Sequence, residues 1–167
     1  MRNELTVRTG SLEQCYDDFF ALFEAHKTRK GFKVNLEPDF YRQVERAAEE
    51  KTDYIVKLVE KDGVVIAGHI GAYVGDTAVY LFGASSEQGN AVGAPYLLQF
   101  GAILEAIELG IRYYDTGGLD QKNNPGVYIF KSRMKGDLVT SASFFDYSIG
   151  IRQKLTLGVE KLYRLLK

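Results

Sequence analysis

Two short turn signals set the frame for this chain. Asp62-Gly63 and Gly75-Asp76 separate three stretches, Tyr54 to Val59, Val64 to Val74 and Ala78 to Phe82, each rich in β-branched and aromatic residues. Two-residue connections of this kind close antiparallel hairpins, so the middle of the chain reads as a three-stranded meander. The pattern then changes period. Pro95 suits the first turn of a helix. Tyr96, Phe100, Ile103, Leu104 and Ile107 recur at helical spacing as an apolar stripe, and Gly110 ends the run. Ile111 to Asp115 reads as a buried strand. A helix between two strands needs a crossover, and crossovers join parallel neighbours. The sheet is therefore expected to be mixed, antiparallel through the meander and parallel beyond it.

The flanks add elements to this frame. Leu5 to Arg8 reads as a short strand. A helix over about 11–27 follows, with Ser11 as its cap and Leu12, Cys15, Phe19 and Leu22 on one face. A second helix follows Glu37-Pro38, with Phe40, Val44 and Ala47 at helical spacing. The segment 83–94 is rich in small residues and reads as a loop. After Asp115 come a Gly-Gly turn, a polar loop and the apolar patch Val127-Tyr128-Ile129-Phe130. A strand from Leu138 to Tyr147 and an amphipathic helix over about 153–166 close the chain. No repeat or linker interrupts the 167 residues, which suit one α+β domain with its own core.

Charge narrows the function classes. A net charge of −1 argues against broad coating of nucleic acid but permits a local basic patch. Residues 26–33 carry four Lys or Arg and no acid, and 151–167 carry five basic residues and one acidic one. Each cluster taken alone also reads as a solvated face. Apolar runs fall far short of the ~20 residues a membrane span needs, and no apolar signal core follows Met1. Cys15 is the sole cysteine. A cytoplasmic location is the expectation. One Cys and two distant His, His26 and His69, make a poor metal set, so no metal or cofactor is expected and both histidines read as structural.

Three segments, in order, carry a family resemblance. They are 80-YLFGASSE-87 with 94-APYLLQFGAILEAIELG-110, then 113-YYDTGGLD-120, then 126-GVYIFKSRMKGD-137 with 144-FFDYSI-149. The upstream 28-TRKGF-32 adds to them. Together they resemble the Fem family of aminoacyl-tRNA-dependent peptidyltransferases, whose domains have the GNAT acyltransferase fold. The resemblance implies a GNAT-like mixed sheet flanked by helices. It also implies an aminoacyltransferase that moves an amino acid from aminoacyl-tRNA to an amine of a peptidoglycan-precursor peptide or a small peptide-like metabolite. Only one domain of the family's usual two is matched. A smaller acceptor, a second copy of the chain or a partner transferase would answer for the difference.

The same resemblance points to residues. Phe130 and Lys131 match the family's catalytic Phe-Lys pair, in which the lysine is thought to stabilise negative charge as the ester carbonyl is attacked. A preplaced cation is suited to a tetrahedral oxyanion. On residue types alone, Lys131 reads as a helix-end lysine beside a core aromatic. Tyr80, Phe82 and Tyr96 are candidates for lining the acceptor pocket, or core aromatics. Asp115 orients the acceptor amine, acts as a base or caps its turn. Arg29 is a substrate-binding candidate. Lys27, Lys30, Lys33, Arg133 and Lys135 are candidates for tRNA phosphate contacts. Two rivals stay open: a GNAT enzyme using acyl-coenzyme A, and a non-catalytic module binding tRNA or a partner. The first would use the loop 88-QGNAVGA-94 for pyrophosphate, although Ala91 stands where that pattern has its first glycine and the loop has no Arg or Lys.

Overall fold

The computed structural model describes residues 5–32, 37–47, 54–140 and 150–165. They form two compact units that divide after Lys131. The first begins with strand β1 (Leu5–Gly10), helices α1 (Leu12–Lys30) and α2 (Pro38–Ala47) and the meander β2 (Tyr54–Lys61), β3 (Val64–Val74) and β4 (Thr77–Ser85). Helices α3 (Glu87–Ala91) and α4 (Ala94–Glu108), strand β5 (Tyr113–Asp115) and helix α5 (Pro125–Ser132) follow. The second unit contains helix α6 (Ile151–Leu165).

The five strands lie in chain order, antiparallel from β1 to β4 and parallel between β4 and β5. Both hairpin signals act as read. Asp62 and Gly63 both take positive φ, 54° and 76°, the mark of a type I′ turn. At the second turn only Gly75 does so, at 60°, as a type II′ turn requires of its first central residue. Ser11 and Gln14 form a reciprocal capping box at the start of α1.

The sheet is covered on both faces. Leu12, Phe19 and Phe23 of α1 pack on Val56, Leu58 and Ile70. Gly68 lets the helix come close, since a Cβ there would stand 2.7 Å from the Phe19 ring. The alternate residues Val59 and Ala67 meet Ala94 and Leu98 of α4.

Four expectations change. The stripe of large residues on α4 does not face the sheet. Ala94, Leu98, Gln99, Ala102 and Ala106 do, while Phe100, Leu104 and Ile107 are exposed. Small side chains let the helix axis sit close to the strands, and the larger ones are turned outward. Strand β5 starts at Tyr113, and Tyr113 and Asp115 are exposed. Ile111 instead donates to Ala106 O and Gly110 to Ile107 O, the paired bonds that close a helix around a left-handed glycine. The 83–94 segment is not a loop: β4 continues to Ser85, and α3 follows, capped by Ser86. Residues 138–140 carry no strand, and 141–149 of the expected last strand lie outside the described residues.

Candidate active site

Lys131 is presented by the last turn of α5. Asn124 starts that helix, accepting from Val127 N with its side chain and from Tyr128 N with its carbonyl, and Pro125 occupies the first helical position. Asp120 orders the preceding loop by accepting from the backbone N–H groups of Lys122 and Asn123. Across from α5 lies the end of β5. There the Asp115 carboxylate accepts from Gly117 N at 2.7 Å, turning the chain. Lys131 Nζ donates to Gly118 O at 2.9 Å. A Cβ at Gly117, whose φ is +73°, would stand 3.5 Å from Nζ. The ammonium also lies 5.6 Å from the centroid of the Tyr80 ring. Its pKa is lowered from the ordinary lysine value by desolvation, with the Asp115 charge acting in the opposite direction. Lys131 thus carries a partly desolvated cation whose hydrogen-bond partner among the described residues is one carbonyl.

Tyr80 owes its place to a bulge. β3 and β4 pair Gly71 with Tyr80 and the adjacent Ile70 with Phe82, leaving Leu81 unpaired. A bulge reverses the alternation of side chains. The two aromatics, expected together beside the sheet opening, therefore separate. Phe82 enters the α1 and α2 side of the core, its ring 5.6 Å from that of Phe23 and 5.4 Å from that of Tyr41. Tyr80 stays on the α4 face against His69, with ring centroids 5.0 Å apart. Burial raises the Tyr80 pKa to about 12, so the ring beside Lys131 is neutral. The parallel pairing of β4 with β5 ends at Val79 and Asp115, one residue before Tyr80. Lys131 therefore lies where the two strands cease to be hydrogen bonded.

The remaining candidates fall into place around this point or away from it. Tyr96, in the first turn of α4, meets Phe130 with ring centroids 4.8 Å apart. The Phe-Lys pair therefore divides its work, Phe130 joining α5 to α4 while Lys131 enters the strand opening. Arg29 donates to Ser85 O at 2.6 Å and contacts His26 Nδ1 at 3.2 Å, fastening the end of α1 to the end of β4. Lys27 is ion-paired with Glu24 and Glu37. Lys30 is exposed, as are Arg133 and Lys135 in the second unit, and Lys33 lies outside the described residues. His26 and His69 are structural, as read: His26 bonds the Ser85 backbone and His69 is 3% exposed.

Sequence reasoning missed the ion pair of Lys57 with Glu105, in which Lys57 is buried and also donates to Thr9 Oγ1 at 3.2 Å. A lysine flanked by Val56 and Leu58 was the available signal. It also missed Gly71 and Gly83, whose position inside strand patterns marks close approach by a neighbour. Among the described residues, no cluster of His, Cys, Asp or Glu could hold a metal ion, and no helix is long and apolar enough to cross a membrane.

The family model described as acetyltransferase (GNAT) domain matches residues 2–132. This chain belongs to that family. The matched span coincides with the first compact unit. Fold comparison agrees. The chain superposes with a TM-score of 0.65 on an aminoglycoside N-acetyltransferase solved with coenzyme A, at 10% identity, covering 89% of this chain and 98% of that one. An aminoglycoside 6′-N-acetyltransferase from Acinetobacter baumannii gives a TM-score of 0.61 at 15% identity, covering 88% and 100%. These likenesses establish the GNAT fold. The curated relatives bear out the Fem resemblance. A UDP-N-acetylmuramoylpentapeptide-lysine N(6)-alanyltransferase of Weissella viridescens is 27% identical over 131 residues, 78% of this GNAT chain and 38% of the relative. A lipid II:glycine glycyltransferase of Staphylococcus saprophyticus is 29% identical over 137 residues, 71% of this chain and 32% of the relative. The chain thus spans about a third of the length of the curated relatives it matches.

Proposed function

We propose that this GNAT domain carries the transfer chemistry of an aminoacyltransferase, which moves an amino acid from aminoacyl-tRNA to an amine of a peptidoglycan-precursor peptide or a small peptide-like metabolite. The observation that carries the reading is the Lys131 ammonium, anchored to Gly118 O and backed by the Tyr80 ring where β4 and β5 stop pairing. The names of the curated relatives support the acceptor class. In this reading the neutral acceptor amine attacks the ester carbonyl, and the carbonyl electron pair moves onto oxygen. Lys131 supplies the cation for that oxyanion. As the intermediate collapses, the C–O bond to the tRNA ribose breaks. The ribose oxygen takes the proton that the amine nitrogen loses, directly or through water, leaving an amide. Phe130 acts by holding α5 against Tyr96. Lys30 is exposed in the first unit, and Arg133 and Lys135 are exposed in the second; each is a candidate for contact with tRNA phosphate.

The segment before α4, which includes α3, favours this donor over acyl-coenzyme A. A pyrophosphate loop needs backbone N–H groups turned outward. Here Asn90 N bonds Ser86 O, Val92 N bonds Gln88 O, Gly93 N bonds Asn90 O and Gly89 N bonds Ser86 Oγ. Gly89 is spent on packing, since a Cβ there would fall 2.1 Å from Ile66 O. The test is transfer of radiolabelled amino acid from a panel of aminoacyl-tRNAs to amine acceptors, with and without RNase. RNase-sensitive transfer by the wild-type chain supports the reading. RNase-insensitive transfer, or tight calorimetric binding of acetyl-coenzyme A, overturns it.

A further inference from the structure

On the α4 face of β3 and β4, two rings and two glycines interlock. His69 pairs across the strands with Gly83, and Gly71 pairs with Tyr80. Each glycine makes room for a ring. A Cβ on Gly83 would fall 1.8 Å from the Tyr80 hydroxyl oxygen, and a Cβ on Gly71 would stand 3.0 Å from His69 Nε2. The rings meet edge to face, with an interplanar angle of 77°. His69 is almost fully buried, its Nδ1 has no hydrogen-bond partner among the described residues, and it borders a cavity of about 10 Å³. The ring makes its contact with Tyr80 by packing. The bulge at Leu81 brings Tyr80 to this face, and the ammonium of Lys131 lies 5.6 Å from the centroid of the same ring.

We infer that Gly83 and His69 are positioning residues that set the place of the Lys131 ammonium through the Tyr80 ring. The inference rests on the proposed role of Lys131 for its functional meaning, and on geometry alone for its structural content. The Tyr80 hydroxyl occupies the space that a side chain at position 83 would need, and His69 packs against the ring. Any side chain at position 83 pushes Tyr80 away from its seat, and a small residue at position 69 lets it tilt. In both cases the cation loses the aromatic surface that, with Gly118 O, fixes it.

The test reads Lys131 directly. In protein labelled with ¹³C and ¹⁵N, the Lys131 Hε signals, assigned by their loss in Lys131→Arg, are expected to carry an upfield ring-current shift. Gly83→Ala is expected to abolish that shift and His69→Ala to reduce it. Gly101→Ala, where a Cβ meets nothing within 4 Å, leaves it unchanged. Backbone amide spectra away from the β3 and β4 pair confirm that the variants are folded. In a Tyr80→Leu background, which removes the ring, Gly83→Ala is expected to have no further effect on Lys131. An equal effect of Gly83→Ala in the two backgrounds, or an unchanged Lys131 shift in the single variant, overturns the inference. In the transfer assay, Gly83→Ala lowers kcat on the order of tenfold with KM little changed. Absence of transfer by the wild-type chain would remove the proposed reaction and leave the spectroscopic result standing.

Discussion

Two lysines are withdrawn from water on the same face of this sheet, and they are treated in opposite ways. Lys57, on β2, is buried and is given a carboxylate from α4 and a hydroxyl from β1. Lys131, on α5, is given a backbone carbonyl and the face of a neutral ring, while Asp115 is spent on the backbone of its own turn. The first arrangement neutralises a charge to join helix to sheet. The second keeps a charge available next to the strand opening. Partners rather than burial distinguish the structural cation from the one proposed to act in transfer. Burial alone would have singled out Lys57.

The largest expected effect belongs to the structural lysine. Lys57→Met leaves Glu105 without its counter-ion under α4, and removing one partner of a buried pair costs about 3–5 kcal/mol. Chemical denaturation measures it. The double variant Lys57→Met with Glu105→Leu is expected to recover most of the loss, because the stranded charge goes too. A Lys57→Met protein as stable as wild type would break the contrast at its structural end.

Lys131, the lysine proposed to act in transfer, is expected to behave in reverse. Lys131→Ala should lower kcat for transfer on the order of 10²–10³-fold while leaving the denaturation midpoint close to wild type. Steady-state kinetics and denaturation on the same preparation check both halves. Transfer that survives the substitution, or a folding defect that accounts for its loss, would return Lys131 to the role of a helix-end charge.

Acid sensitivity concerns His69, which lies opposite Lys57 across β2 and β3 and packs on the Tyr80 ring beside Lys131. Burial, and secondarily the charge of Lys57, lowers the His69 pKa from 6.5 to about 3. The unfolded chain therefore binds a proton that the folded chain refuses between those values. His69 contributes stability that is complete above pH 6.5 and is lost as pH falls toward 3, at about 1.4 kcal/mol per pH unit. His69→Phe should flatten this part of the stability profile. Thermal or denaturant midpoints taken between pH 7 and pH 4 give the answer, and a slope identical in the two proteins would mean that His69 is not the residue that titrates.

How much of this was legible in the chain depends on the range of the signal. Asp62-Gly63, Gly75-Asp76, Ser11 and Gly110 act within a few residues, and each does in the structure what its local chemistry implies. The period of large apolar residues on α4 points away from the sheet, which accepts alanines at close range. The separation of Tyr80 from Phe82 was hidden for another reason: a bulge leaves no period in sequence, and both residues occupy ordinary strand positions. Lys131 and Phe130 were found only through their likeness to a family motif. The pairing of His69 with Gly83 and of Gly71 with Tyr80 depends on cross-strand register, and Lys57 with Glu105 on helix placement. Neither is written in local spacing.

The smallest expected effect is the most discriminating, because it concerns Asp115, an acid whose charge acts on Lys131 while its carboxylate holds the backbone of its own turn. Desolvation lowers the Lys131 pKa and the Asp115 charge raises it. If transfer needs the cation, the rate falls as pH rises through the folded pKa, and this alkaline limb lies below the ordinary lysine value. Asp115→Asn keeps an acceptor for Gly117 N and removes the charge, so the limb should move to still lower pH, with the plateau kcat little changed. Asp115→Ala loses the turn as well and should lower the plateau. A pH–kcat profile for the three proteins reads both quantities. A limb that stays in place in Asp115→Asn would mean that Asp115 sets geometry alone. A limb that moves upward would mean that the titrating group is not Lys131, since loss of a nearby negative charge can only make an ammonium easier to deprotonate.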